Sequence, residues 1–387
     1  MPAPKAPRMS VEPPHRRASR APARRVVVKV GTTSLVDRSG RIARPKLART
    51  ARQIAEATRQ GRQLVLVSSG AIASGFPDLG LTRRPRTISQ QQAAAAVGQG
   101  RLMAEYLRLF ARHDLTAAQV LLTRDDFIRR RQFVNAKATF QELLAAGVIP
   151  VVNENDTVST DEIRFGDNDQ LAALVAVMIG ADLLVLLSDV DGIYSRTPGH
   201  RHAELLSLVT DPLGVRATGP RSAAGSGGMA SKLQAAFMAT AAGIPTVVAN
   251  AAARDVLSRV LGGEEVGTRL PARAAPKRAR KAWVAFVASP AGAIVVDAGA
   301  ERALREAGRS LLAAGVVSVR GGFAAGDIVE VAGPHGEAFA RGVTNYGATN
   351  LARGLDRPGT DQPPYDKEVI HRDELVLLEV SGWPRRT

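Results

Sequence analysis

Six short runs of apolar, often β-branched residues recur between positions 26 and 248, and most are followed by a stretch with helical spacing. They are Val26-Val27-Val28-Lys29-Val30, Leu64-Val65-Leu66-Val67, Ala118-Gln119-Val120-Leu121-Leu122, Val148-Ile149-Pro150-Val151-Val152, Leu183 with the four residues after it, and Thr246-Val247-Val248. Helical spacing falls at 45–60, 89–109, 133–146, 171–179 and 231–242, with Gly31, Gly61 and Gly147 as punctuation. Strands apolar at nearly every position, rather than at alternate ones, must be covered on both faces. An open, mainly parallel α/β sheet sandwiched by helices over 25–268 is therefore expected.

After Leu270 the composition turns to Pro, Ala, Lys and Arg, a linker signature over 269–281. Short strand patterns follow at 283–287, 293–296, 316–319, 328–331 and 339–343, with Gly-rich turns and one helix near 300–307. A small, mostly-β second domain over 282–370 and a tail over 371–387 complete the expected organisation.

The formal charge of +16 first suggests a nucleic-acid partner. Its distribution argues otherwise. Residues 1–25 carry seven basic side chains against Glu12, and 269–281 carry six with no acid, so twelve of the sixteen excess charges lie in two short segments. Residues 1–24 are Pro/Ala/Arg-rich and lack the apolar core of about 7–15 residues found in a secretory signal, so a disordered basic extension is expected, with Met9 as a second initiation point. The stretch from Leu171 to Leu187 is cut by Gly180 and Asp182 and falls short of the roughly 20 residues of a spanning helix. With no cysteine, the chain has no disulfide, thiolate metal site or thiol nucleophile, and a reducing compartment is permitted.

Several polar or Gly-rich segments stand at carboxyl ends of the expected strands, where α/β sheets place ligands. In Lys29-Val30-Gly31-Thr32-Thr33-Ser34 a cation precedes a turn of small residues whose N–H groups can approach a phosphate; an edge-strand lysine beside an ordinary turn is the competing reading. Ser68-Ser69-Gly70-Ala71 opens a helix, where free N–H groups suit an anion, but taken alone the stronger reading is a serine helix cap. Asn153-Glu154-Asn155-Asp156 and Gly166-Asp167-Asn168-Asp169 crowd acids and amides into a loop over 153–169, suited to an amino group or to a hydrated Mg²⁺. Ser188-Asp189-Val190-Asp191-Gly192 lacks the remaining ligands of a calcium loop. Gly225-Ser226-Gly227-Gly228-Met229-Ala230-Ser231-Lys232 is a glycine-rich helix opening that fits neither common phosphate-loop pattern. Its Lys232 stands at a helix start, a poor place for a cation unless it meets an anion. Two lysine-bearing turns, an acid/amide loop and no nucleophile suit phosphoryl transfer by positioning and charge neutralisation, assisted by a metal.

In this order the segments at 29–34, 67–75, 153–156, 165–169, 187–189 and 227–232 resemble the glutamate 5-kinases of the amino-acid kinase family, which often end in a PUA domain like the one expected over 282–370. The resemblance implies ATP-dependent phosphorylation of the γ-carboxylate of L-glutamate, the first step of proline biosynthesis, in the cytoplasm and with Mg²⁺. It implies Lys29 and Lys232 at the transferring phosphoryl group, and Ser69, Asp156 and Asn168 around glutamate, Asp156 on its α-ammonium. Ser188 and Asp189 would line the ATP pocket together with Lys29, while Ser226, Gly227, Gly228, Met229, Ala230, Ser231 and Lys232 close over the phosphates. No protein ligand to the metal is assigned. Inhibition by proline, a homo-dimer or tetramer, and hand-over of product to glutamyl-phosphate reductase are further implications. An aspartokinase or acetylglutamate kinase is the alternative within the family. An RNA-binding protein is the alternative outside it, disfavoured because 282–387 carries a net charge of −2.

Overall fold

The computed structural model describes residues 23–37, 41–128, 130–158, 168–196, 200–212, 215, 228–272, 290–355 and 366–378. The first sheet is built from β1 (Arg25–Val30), β2 (Gln63–Ser68), β3 (Ala117–Leu122), β4 (Ile149–Glu154), β5 (Leu183–Ser188), β8 (Thr246–Asn250) and β9 (Thr268–Leu270). A separate two-stranded ribbon of β6 (Ile193–Tyr194) and β7 (Leu205–Leu206) is tied to β9 by Thr268, whose hydroxyl accepts from the Ile193 N–H at 2.7 Å and donates to the Leu206 carbonyl oxygen at 2.6 Å. The strand order is β3-β4-β2-β1-β5-β8-β9, and every pair is parallel except the last. β1 lies at the centre, with Val26 opposite both Leu64 and Leu183.

Helices cover both faces. Between β1 and β2 runs α1 (Arg44–Arg59); α2 (Ala71–Gly75) and α3 (Ile88–Ala111) follow β2, α4 (Asp125–Ile128) and α5 (Arg130–Ala145) follow β3, and α6 (Asn168–Ile179) leads into β5. Later come α7 (Met229–Ala241) and α8 (Val256–Leu261). Val26, Val28 and Val30 pack with Ile54, Leu102 and Leu257 of α1, α3 and α8. Val27 packs on the other face with Leu174, Leu233 and Phe140 of α6, α7 and α5. Side chains alternate along a strand, so Lys29 is carried onto the α6/α7 face at the carboxyl end of the sheet.

Two glycines fix the site's support. Gly75 and Gly98 bring the backbones of α2 and α3 together: a Cβ on Gly75 would stand 1.9 Å from the Ala94 carbonyl oxygen, and one on Gly98 would stand 1.9 Å from that of Ala71. Only a residue without a side chain allows that approach. It anchors the middle of α3 beside the end of β2.

The second sheet has the order β11-β10-β12-β13-β14, from β10 (Gly292–Val296), β11 (Val316–Gly321), β12 (Ile328–Ala332), β13 (Ala338–Val343) and β14 (Leu375–Leu377). Its core joins Ile294, Val331 and Phe339 to Leu304 of α9 (Ala298–Ala307) and Leu351 of α10 (Ala348–Leu355). Asp297 caps α9, accepting from the Ala300 N–H at 2.7 Å. Ile328 and Val343, at one end of β12 and β13, join the core on the α6/α7 face of the first sheet.

The open, mainly parallel sheet between helices and the small β-rich sheet behind it are as expected. Details differ. The first sheet takes in Thr268–Leu270 and the second takes in Leu375–Leu377, so strand pairing reaches into segments read as linker and tail. A second helix, α10, joins the one expected at 300–307; at eight residues, about two turns, it is too short for its helical spacing to stand out in the sequence. α6 begins at Asn168 and not after a loop ending at 169, since an acid in the first turn is favoured by the helix dipole. The strand expected at 283–287 lies outside the described residues. Among the described residues no helix is long and apolar enough to cross a membrane.

Candidate functional site

The carboxyl ends of β4, β2, β1 and β5 lie side by side, and each presents one of the polar segments singled out in the sequence. At the β1 end Lys29 is only 3% exposed, and its Nζ is 2.6 Å from Oδ1 of Asp169, which is fully buried. Lys232 reaches the other carboxylate oxygen, Oδ2, at 3.0 Å. These three groups come from β1, the first turn of α6 and the first turn of α7. Two ammoniums sharing one carboxylate carry a net positive charge in a dry place, a strong attraction for a polyanion. The pairing also explains a cation in the first turn of α7: the anion it meets inside the protein is Asp169. The turn after β1 is equally close, since a Cβ on Gly31 would lie 3.9 Å from Lys29 Nζ.

At the β2 and β4 ends the chemistry is that of amides. Asn168 Nδ2 donates to the carbonyl oxygen of Ser68 at 2.6 Å, to Ser69 Oγ at 3.1 Å and to Asn153 Oδ1 at 2.8 Å. Asn153 Oδ1 also accepts from the Glu154 N–H at 2.9 Å, and Asn153 Nδ2 donates to Gln99 Oε1 of α3 at 2.6 Å. Ser69 does not cap α2; the cap position belongs to Gly70 with φ of +95°, a left-handed conformation that favours glycine. Ser69 is buried, its hydroxyl turned to Asn168. Beneath it Ser68 Oγ lies 3.1 Å from the hydroxyl of Tyr106, whose pKa burial drives well above its ordinary value, so this phenol stays protonated at any physiological pH. Asp156 stands half-buried in the turn after β4.

At the β5 end Ser188 is buried, and its hydroxyl donates to Oδ1 of the exposed Asp189 at 3.1 Å. Asn250, ending β8, donates to Asp191 Oδ1 at 2.8 Å, and Tyr194 donates to Asp191 Oδ2 at 3.2 Å. Burial and the adjacent Asp191 carboxylate both raise the Tyr194 pKa. Among the described residues no group of three His, Cys, Asp or Glu side chains could hold a metal ion.

Of the residues singled out in the sequence, Lys29, Lys232, Ser69 and Asn168 thus meet at adjoining strand ends, with Ser188 ending β5 and Asp156 and Asp189 in the turns that follow β4 and β5. Gly228 precedes α7 in extended conformation, and Met229, Ala230 and Ser231 form its first turn. Ser226 and Gly227 lie outside the described residues, as do Phe165, Gly166 and Asp167. Sequence reasoning counted Asn153 and Asp169 only as members of the acid/amide loop and gave no role to Gln99 or Tyr106. A signal existed for Asp169, an acid directly ahead of the apolar run of α6, but its two partners lie 140 and 63 positions away.

Residues 24–250 match the amino acid kinase family and residues 292–357 match the PUA domain. The chain is 46% identical over 367 residues to "Glutamate 5-kinase" of Streptomyces coelicolor, covering 92% of this chain and 97% of that one. It is 46% identical over 369 residues to the protein of that name from Thioalkalivibrio sulfidiphilus, with 92% and 97% covered. The like-named protein of Moorella thermoacetica is 43% identical over 366 residues, with the same coverage. Among solved structures, UMP kinase from Bacillus anthracis matches 66% of this chain and 98% of its own at 17% identity, with a TM-score of 0.46. The family-model matches and the identity to these curated relatives make the chain a member of the amino acid kinase family that bears a PUA domain.

Proposed function

We propose that the protein phosphorylates the γ-carboxylate of L-glutamate with ATP, giving L-glutamyl 5-phosphate and ADP, the first step of proline biosynthesis. The observation that carries this reading is the row of strand ends: amides and a carboxylate at β4 and β2, buried cations at β1, and a Ser-Asp pair at β5. An amino acid at one end and a nucleotide at the other would meet over Lys29. A γ-carboxylate oxygen attacks the γ-phosphorus in line, the bond to the β-phosphate oxygen breaks, and that oxygen leaves with ADP. The attacking group is already ionised at neutral pH, so no proton is removed and no general base is required; catalysis rests on position and charge.

In this reading Lys29 and Lys232 stabilise the charge on the transferring phosphoryl group, and Asp169 holds both ammoniums in place. Asp156 pairs with the α-ammonium of glutamate, while Ser69 and Asn168 hold its polar groups. Ser188, Asp189 and the segment 226–232 serve the nucleotide. Mg²⁺ fits as a companion of ATP, not as a resident ion: the described residues offer no cage, and both oxygens of Asp169 are engaged by lysines. When bound it supplies neutralisation of the phosphate charge, held mainly by phosphate oxygens and water.

The same reading divides the chain into a basic extension over 1–24, a kinase domain over 25–268, a linker over 269–281, a PUA domain over 282–370 and a tail over 371–387. It includes a cytoplasmic, homo-oligomeric enzyme, dimer or tetramer, that is inhibited by proline in the 153–169 region and passes its unstable product to glutamyl-phosphate reductase. A coupled assay for ADP tests the central claim with L-glutamate, L-aspartate and N-acetylglutamate side by side. L-glutamate is expected to be the strongly preferred acceptor. Preference for N-acetylglutamate, which has no α-ammonium, would overturn both the substrate and the role of Asp156. Titration with proline in the same assay tests the feedback: glutamate-competitive inhibition supports it, and indifference removes it.

A further inference from the structure

The direction of every hydrogen bond in the amide network follows from two backbone groups. Ser68 offers a carbonyl oxygen, which only accepts, so the group of Asn168 that meets it is Nδ2. Glu154 offers an N–H, which only donates, so the group of Asn153 that meets it is Oδ1, and the same oxygen accepts from Asn168. Asn153 Nδ2 is then turned the other way, toward α3, and needs an acceptor there. Gln99 Oε1 supplies it at 2.6 Å. Each amide orientation is thereby settled by its partners. Among the described residues nothing donates to Asn168 Oδ1, which is left as an acceptor of the kind an ammonium group requires.

We propose that Gln99 is a positioning residue for the amino-acid substrate, acting through Asn153 to hold Asn168 with its acceptor oxygen available. Asn153 is 2% exposed, so its amide nitrogen has no water to fall back on once Gln99 is removed. Turning Asn153 over would set its Nδ2 against the Glu154 N–H and against Asn168 Nδ2, two donor-to-donor contacts that push Asn168 from its place. Gln99 is itself held in position by the glycine contact at Gly98, its neighbour on α3, where the backbones of α2 and α3 meet. Lys29, Asp169 and Lys232 take no part in the relay, so the nucleotide side is expected to be indifferent to it.

The inference rests on the glutamate reading of the site, and the test separates the two. Wild-type protein is assayed first with glutamate; absence of turnover would sink that reading and leave the relay to be judged by spectroscopy alone. Gln99→Met, of similar volume but without the acceptor, is expected to raise KM for glutamate about tenfold while KM for ATP stays within about twofold, the scale of one lost neutral hydrogen bond. In an Asn153→Ala background the same change should add little, because the relay is already cut. Additive losses would mean that Gln99 touches the substrate itself, and an unchanged KM would mean that the relay does not matter; either overturns the proposal. The side-chain ¹⁵N amide signal of Asn168, which requires no turnover, should move in Gln99→Met, and an unmoved signal in a protein that melts like wild type would overturn it as well.

Discussion

The β1 and β5 ends of one sheet are neighbours, yet they handle charge in opposite ways. At β1 two lysines and an aspartate are sealed from water, with Asp169 fully buried. At β5 and β8 the carboxylates of Asp189 and Asp191 are exposed, and among the described residues they are met by the neutral donors Ser188, Tyr194 and Asn250. Burying three charges is costly, and a fold tolerates it where a fixed field must act on charge that develops during reaction. An exposed polar rim suffices where a ligand need only be gripped.

The sharpest way to break this contrast is Lys29→Ala. The loss of glutamate-dependent ADP release should be about a thousandfold or more in kcat, with KM values little changed, as for removal of a preorganised group aimed at the transition state. Turnover near that of wild type would end the claim that the buried cluster acts on the reaction. Asp169→Asn comes next, since it leaves two buried ammoniums without their shared counter-charge. A loss of about 3–5 kcal/mol in urea unfolding is expected from stranding buried charge, together with an activity loss of two orders of magnitude or so. Full activity with unchanged stability would show that the lysines do not depend on it.

Asp156→Asn tests the substrate side of the same edge. It should raise KM for glutamate by about ten- to a hundredfold, the value of a charge-assisted bond, with KM for ATP nearly constant. Equal losses for both substrates would assign Asp156 to the metal-bound nucleotide instead. The smallest effect belongs to the exposed rim: Asn250→Ala should alter KM for ATP by no more than about threefold and leave kcat untouched, because exposed polar contacts contribute little. A large drop in kcat there would erase the distinction between the two ends.

How much of this could be read in advance differs between elements. The inner strands β1, β2, β4 and β5 were legible because burial on both faces makes them largely apolar, a local signal that needs no partner. β9 was not, being three residues, Thr268–Leu270, beside a basic stretch. Within the site, Lys29, Lys232, Ser69 and Asn168 stood out as polar residues at strand ends or helix starts. Asp169 carried one local mark, its place directly ahead of the apolar run of α6, but nothing near it in sequence pointed to Lys29 and Lys232 as its partners. Gln99 lies in an Ala-rich helix with no mark at all, and only its 2.6 Å bond to Asn153 reveals it.

By itself, then, the sequence determined the alternation of covered strands and helices, the edge of the sheet at which polar chemistry gathers, and the residue types available there, because periodicity and turn chemistry act between near neighbours. The tertiary structure decided which of those residues act together. Asp169 meets Lys29 and Lys232, and Asn168 meets Ser69 and Asn153, only when β1, β2, β4, α6 and α7 are packed. Coulombic and hydrogen-bond partners are chosen by distance in space, and in a parallel sheet with crossover helices that distance bears no relation to separation along the chain.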